Sequence, residues 1–151
     1  MKGLKIVVYT MVSLFIISIL FPLTNNVDYA LKPYVDEVYE GIDEVCSGHR
    51  YIPRNYNILF ADIKKVSPEV LGICIFNGPS FTILVDRDNF YNYLTEDERF
   101  ILVAHEMLHC FLGELHVNDP GSIMYPDIAQ ISKPLAKLDL YLTLIKRCQS
   151  Q

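Results

Sequence analysis

Apolar and polar residues follow each other with different periods along this chain, and each change of period marks an element. Over residues 31–46 the apolar positions recur at helical spacing, which predicts an amphipathic helix. Three short apolar runs follow, each bounded by Pro, Asn or Gly. Because they are rich in branched and aromatic residues, we expect them to be strands of one sheet. They are NYNILFADI (55–63), VLGICIFNG (70–78) and SFTILVDRDNF (80–90).

After Leu94 the pattern becomes helical again. Thr95 and Glu98 form a capping box, and the helix should run through FILVAHEMLHCFL to an end near Gly113. A loop marked by Pro and Gly follows, VNDPGSIMYPD. The last run, KPLAKLDLYLTLIKRC, predicts a final helix with Ser132 as its cap and Pro134 in its first turn. This order of elements is typical of an α+β domain.

The first residues follow neither pattern. Residues 6–23 form a run of 18 uncharged, mostly apolar residues, preceded by Lys2 and Lys5. Such a run can just cross a bilayer core, and the lysines favour a cytoplasmic N-terminus. The following TNNVDYA lacks the small-residue cleavage pattern of a signal peptide, which favours an uncleaved anchor. We therefore expect a signal-anchor or signal peptide at 1–23 and one folded domain at 24–151. A buried core helix is the remaining interpretation of the run.

Charge and cysteine content narrow the class of the domain. The chain has 13 Lys plus Arg and 18 Asp plus Glu, and two lysines precede residue 24, so residues 24–151 carry 11 against 18, a net charge of −7. Because no run of basic residues is present, nucleic acid is not an expected partner. The even number of cysteines predicts two disulfides in an exported domain. The cysteines are Cys46, Cys74, Cys110 and Cys148.

The motif His105-Glu106-x-x-His109 lies inside the predicted capped helix. Residues four apart share a helix face, so both imidazoles can bind one metal ion. Glu106, beside the first of them, can take a proton from a water molecule that zinc activates and later pass it to a leaving amine. The motif therefore predicts one catalytic Zn2+ with Glu106 as general base. The competing interpretation is a pair of histidines that are packed in the core.

A third ligand is expected because two histidines leave zinc short of a closed protein set. His116, three residues after Gly113, is our prediction for that role. Asp119 is the rival, but it begins a DPG turn, where Asp commonly bonds its own backbone. His49 has no motif around it and is interpreted as a surface residue.

The helix motif, the glycine turn, the third histidine and a downstream methionine together resemble the metzincins, a group of zinc peptidases. DPGSIMYP (119–126) is especially similar to the Met-turn region of the matrix metalloproteinases. Gly113 and His116 stand one residue later than in most metzincins. This longer form, with Cys after the second histidine, is similar to small bacterial exported metallopeptidases that carry HExxHCxLGxxH. The resemblance covers about residues 70–127.

The resemblance implies a zincin-like domain, in which a short twisted sheet covers the zinc-binding helix and a further helix lies at the C-terminus. It also implies that the strand at 70–78 is the antiparallel edge beside the cleft, and that Met124 forms an apolar floor beneath the imidazoles. For the cysteines we expect two pairs. The first is Cys74 with Cys110, because Cys110 should face the sheet. The second is Cys46 with Cys148, which would join the two outer helices.

These observations predict a zinc endopeptidase that hydrolyses peptide or protein substrates outside the cytoplasm, either anchored through residues 6–23 or secreted. An exposed sheet edge can pair with the substrate backbone. Two alternatives stay open: a catalytically inactive, zinc-stabilised binding module on the outside of a membrane, and an anchored interaction protein with packed histidines. Metal content separates the last of these from the others, and a turnover assay separates the first two.

Overall fold

The computed structural model describes residues 25–46, 55–65, 67–78 and 80–149. These residues form an α+β domain with four strands and four helices, which confirms the predicted class. Short 3₁₀ turns lie at Ile63–Lys65 and Ile128–Gln130. In chain order, the elements are β1 (Asn26–Val27), α1 (Lys32–Val45), β2 (Tyr56–Ala61), β3 (Gly72–Asn77), β4 (Ser80–Asp86), α2 (Arg87–Asn92), α3 (Glu96–Leu112) and α4 (Lys133–Gln149).

The strands form one mixed sheet in the order β1-β2-β4-β3. β2 is parallel to both β1 and β4, whereas β3 is antiparallel to β4, with Gly72 opposite Val85. β3 therefore lies at one edge of the sheet, which confirms the expected antiparallel edge strand.

Two details of the predicted strands are wrong. The third run does not stay extended to residue 90, because β4 ends at Asp86 and α2 begins there. The buried Asp86 carboxylate caps α2 by accepting from the Asn89 N–H (2.9 Å), and it also accepts from the N–H groups of Ile63 (3.0 Å) and Lys64 (3.1 Å). β1 was not predicted, because its two residues are too few to show a period.

α3 is the central helix of the domain. It packs against β3 and β4 on one side and against α1 and α4 on the other. Its start and end are the predicted ones: Thr95 and Glu98 form both bonds of a capping box, and Gly113 ends the helix. Most of its side chains from Phe100 to Cys110 are buried, so the motif from His105 to His109 lies on a well-packed helix.

Two disulfides join elements that are distant in sequence. Cys74 of β3 pairs with Cys110 of α3, and Cys46, after α1, pairs with Cys148 of α4, as expected. Disulfides persist in oxidising compartments, so this pair of bonds indicates an extracytoplasmic environment.

The predicted anchor at residues 6–23 and His49 lie outside the described residues. None of the helices in the described part of the chain has the length and apolar character that crossing a bilayer requires.

Candidate metal centre

Three histidines converge at the C-terminal end of α3. His105 and His109 lie about one turn apart on this helix, the first buried and the second half-buried. Gly113 ends the helix with φ 67°, in the left-handed region that favours glycine, so the chain turns back and brings the exposed His116 to the same point. The structure thus brings together all three predicted ligands in an arrangement that could hold a metal ion.

The Nε2 atoms of the three rings form a nearly equilateral triangle. Nε2 of His105 lies 3.0 Å from that of His109 and 3.0 Å from that of His116, and the third side is 3.1 Å. Two nitrogens bound to one tetrahedral ion at about 2.0–2.1 Å stand about 3.3 Å apart. The triangle is therefore close to the size that one metal ion requires.

Backbone carbonyl groups orient two of the rings. Nδ1 of His105 lies 2.7 Å from the carbonyl oxygen of Ile123, and Nδ1 of His109 lies 2.6 Å from that of Glu114. Because a carbonyl oxygen only accepts, both Nδ1 atoms must donate, and Nε2 of a neutral ring then presents its lone pair. Lone pairs facing each other at 3.0 Å repel, and a cation between them turns this repulsion into coordination. The donor set therefore fits a metal ion.

The surroundings of His105 and His116 lower the pKa of both rings and so favour the neutral form that can bind a metal. Burial lowers the pKa of His105 from 6.5 to about 4, and His109 and His116 add to this effect, although the bond to the Ile123 carbonyl opposes it. Burial also lowers the pKa of His116, again with a contribution from His109. Since imidazolium cannot bind a metal, these pKa shifts keep the site ready for one near neutral pH.

The side chain of Glu106 is buried between α3 and β3. Burial raises the pKa of its carboxyl group from 4.5 to about 7. The side chain fits only because Gly72 has none: a Cβ at that position would lie 2.6 Å from Oε1 and 2.7 Å from Cγ of Glu106. β3 therefore holds this carboxyl group beside the histidines.

Asp139 of α4 is linked to the candidate metal centre through hydrogen bonds. One of its carboxylate oxygens accepts hydrogen bonds from the Ser122 hydroxyl (2.7 Å) and from the Ile123 N–H (2.8 Å). The carbonyl of the same Ile123 orients His105. A chain of hydrogen bonds thus links the C-terminal helix to the most buried of the three ligands.

Met124 and Asp119 lie in the loop that follows the third histidine. Met124 is buried, and its carbonyl accepts from the Val117 N–H at 3.1 Å. Its role as a floor beneath the imidazoles stays a prediction. Oδ1 of Asp119 accepts from the Gly121 N–H at 2.9 Å, so this carboxylate has the turn-forming bond that its DPG context suggested.

An open groove passes the histidines along the edge strand β3. On one side it forms a cavity of about 470 Å³ between residues 69–72 and 126–128. On the other side a cavity of about 370 Å³ lies between β3 and the turn at 113–115. Gly72, Glu106 and His116 line both cavities, so an extended ligand can pass across the centre rather than end at it.

Sequence reasoning missed the groups that orient the ligands. The carbonyls of Ile123 and Glu114 are backbone groups and leave no trace in a side-chain pattern. Asp139 looks like any polar position of an amphipathic helix. Gly72 did carry a signal, because a glycine inside an apolar strand often marks a close approach of another group.

Comparison of the chain with protein-family models, with curated proteins and with solved structures finds no match. The resemblance to the metzincins therefore rests on the motif residues alone, and the case for a function rests on the chemistry of the centre.

Proposed function

We propose that this protein is a zinc-dependent endopeptidase with Glu106 as its general base. The observation that carries the proposal is the convergence of three Nε2 atoms within 3.1 Å of one another, two from α3 and one from the chain after Gly113, together with the buried Glu106 carboxyl on the same helix. Three nitrogen ligands leave one position of a tetrahedral ion open, as in catalytic zinc sites.

Zinc suits this donor set better than the hard cations do. Imidazole nitrogens favour zinc, copper, nickel or iron, whereas magnesium and calcium prefer oxygen ligands. Of the first group, zinc has no redox chemistry and readily takes a tetrahedral arrangement. When bound, zinc would supply Lewis acidity to a peptide carbonyl and to water.

Glu106 would carry the proton during hydrolysis. Its pKa of about 7 in the metal-free chain would fall in the presence of a nearby cation, so the group would be ionised in the loaded enzyme. An ionised carboxylate can accept the proton of the attacking water. A pKa not far below the operating pH then lets the same carboxyl group return that proton to the amine as the C–N bond breaks.

The substrate backbone would pair with β3. This strand lies at the edge of the sheet, and no strand of the described chain pairs with its outer side. An extended peptide can add there as a further strand, which supplies affinity without strict demands on sequence. Since the groove continues on both sides of His116, the bond at the centre would be an internal one.

Phe76 and Leu115 would contact a substrate side chain. Side chains alternate along a strand, so Phe76 shares the face of β3 on which Cys74 is linked to α3. Phe76 is 63 % exposed and Leu115 is 78 % exposed, and both line the 370 Å³ cavity. This apolar pair favours a substrate with an apolar residue on that side of the cleaved bond.

The rival function is a module that binds zinc and cuts nothing. A purely structural site has no use for the carboxyl of Glu106, and burying such a group lowers stability. A second rival is a set of histidines that are packed in the core without a metal. This arrangement is unfavourable because the lone pairs of His105 and His109 face each other and repel. The first observation favours the enzyme over the binding module, and the second favours a bound metal over packed histidines.

The test uses the full chain, produced under oxidising conditions and purified in detergent. Bound metal is measured by elemental mass spectrometry, and cleavage of an unfolded protein is followed before chelation, after chelation and after zinc is restored. We expect one zinc per chain and cleavage that the chelator abolishes and zinc restores. Zinc without cleavage would favour the binding module, and a chain that takes up no metal at neutral pH would exclude both functions.

A further inference from the structure

α4 carries a row of apolar side chains on the side turned away from the core. Ala136, Leu140 and Leu144 of this helix are buried. Four others are between 37 % and 56 % exposed, and their spacing of three, four and three residues places them on one face. We name this set the α4 stripe; it consists of Leu135, Leu138, Leu142 and Ile145.

The charges that flank this face balance each other. Lys146 is exposed beside the C-terminal end of the stripe, whereas Asp139 stands four residues after Leu135 and three before Leu142, with its carboxylate bonded to Ser122 and Ile123. This balance contrasts with residues 24–151 as a whole, where 11 Lys plus Arg stand against 18 Asp plus Glu. The face is therefore less acidic than the rest of the domain and is suited to an apolar surface.

We infer that the α4 stripe rests on a lipid bilayer, the one in which the predicted anchor at residues 6–23 is held. Only Thr24 separates that apolar run from Asn25, the first described residue. β1 and α1 begin two and eight residues after Thr24, so an anchor in that run would hold the start of α1 near the bilayer.

The packing of α1 and α4 places the first residues of the α4 stripe at the end of the domain where α1 begins. Glu37 of α1 meets Lys133 at 3.3 Å, and Cys46 after α1 is bonded to Cys148. The two helices therefore run side by side in the same direction. Consequently the stripe begins at the end of the domain at which α1 also begins.

The size of the stripe favours lipid over a second copy of the chain. The largest apolar patch on a typical monomer measures about 300–600 Å², and four half-exposed side chains do not exceed that size, whereas a stable protein interface buries about 800 Å² on each partner. A bilayer requires no shape complementarity, and amphipathic helices with Leu and Lys bind its interfacial region. Since the anchor keeps the domain at high local concentration, a weak contact is sufficient.

Fluorescence of a single tryptophan tests this placement, because the chain contains no Trp of its own. Full-length Leu138→Trp and Tyr91→Trp variants are reconstituted into vesicles of phosphatidylcholine and phosphatidylglycerol, with and without brominated acyl chains. The two positions are matched in exposure, at 56 % and 50 %, and Tyr91 lies on α2. Bromine quenches only an indole ring that reaches the acyl region.

We expect the Leu138→Trp variant to lose about half of its emission in brominated vesicles, and the Tyr91→Trp variant almost none. Adding Leu142→Glu and Ile145→Glu to the first variant should remove the quenching, because the stripe is then charged. Quenching that persists in that triple variant would assign the contact to the anchor alone. Quenching at neither position, or a protein that the vesicles do not retain, would overturn the inference. A concentration-dependent blue shift without quenching would assign the stripe to a second copy.

Discussion

Glu106 is buried, whereas most glutamates lie at the surface. Its folded pKa of about 7 lies above the ordinary value of 4.5, so the folded chain favours the protonated form. Below pH 4.5 this group is protonated in both the folded and the unfolded state and costs nothing. As the pH rises to 7 the cost grows, and it reaches about 3 kcal/mol in the metal-free protein. The proposed catalytic base therefore lowers stability under the conditions in which it would work.

Changing Glu106 to Gln should reduce turnover by about 10²–10⁴-fold, because a positioned base contributes that much. Zinc content should stay the same, since this side chain is not a predicted ligand. After chelation the variant should also unfold at a higher temperature than wild type at pH 8 but not at pH 4. Rates, metal content and thermal unfolding measure the three effects, and a variant that keeps more than about a tenth of the wild-type rate would contradict the role.

Changing His116 to Ala should weaken zinc binding by more than about 100-fold, because it removes one corner of the nitrogen triangle. The matched variant is Asp119→Ala, which removes a bond to the Gly121 N–H and should leave affinity nearly unchanged. Competition with a chromophoric chelator measures both affinities. Loss of zinc in the Asp119 variant alone would show that the third ligand has been misassigned.

At the scale of elements, the closest approach is that of β3 to α3. Gly72→Ala would place a Cβ within 2.8 Å of three atoms of the Glu106 side chain, so that side chain must move. We expect kcat to fall while zinc remains bound, because the three atoms nearest to the added Cβ all belong to Glu106, which is not a predicted ligand. Gly41→Ala in α1 is the control, since its Cβ would lie 3.6 Å from the Tyr141 ring, an ordinary contact. Equal activity in both variants would argue against a fixed position for Glu106.

α3 could be predicted almost to the residue because its signals are local. The Thr95 capping box and Gly113 mark its ends, and the spacing of the histidines follows from the helix itself. The end of β4 could not be predicted in this way. Asp86 caps α2 while it also binds backbone groups about 23 residues earlier in the chain, and such a bond has no signature in sequence.

Within the centre, the same distinction applies. The three histidines come from one stretch of twelve residues, so a motif was enough to find them. Their orientation depends on Ile123 and on Asp139 of α4, which come together only when the chain has folded. The sequence therefore predicts which histidines lie close together, whereas tertiary packing determines the orientation of their rings.

At the scale of the whole molecule, acid should release the metal. Neutral imidazole binds zinc, and protons compete for each of the three rings. In the metal-free protein, burial lowers the pKa of His105 from 6.5 to about 4, so the stability that this residue contributes falls as the pH drops through that window, opposite in sign to the contribution of Glu106. We expect zinc after dialysis at pH 7 and none at pH 4, with activity lost in parallel. Full zinc occupancy at pH 4 would contradict a metal centre built from three histidines.

The Cys46–Cys148 bond spans a sequence separation of 102 residues. A single backbone break anywhere between these two cysteines therefore releases no fragment, because the later piece stays covalently joined to the part of the chain that follows the predicted anchor. After limited proteolysis with an added protease, we expect one band on a non-reducing gel and two bands once the sample is reduced. Two bands without reductant would contradict this. A protease cut between these cysteines would then leave a nicked molecule whose two pieces stay together until the disulfides are reduced.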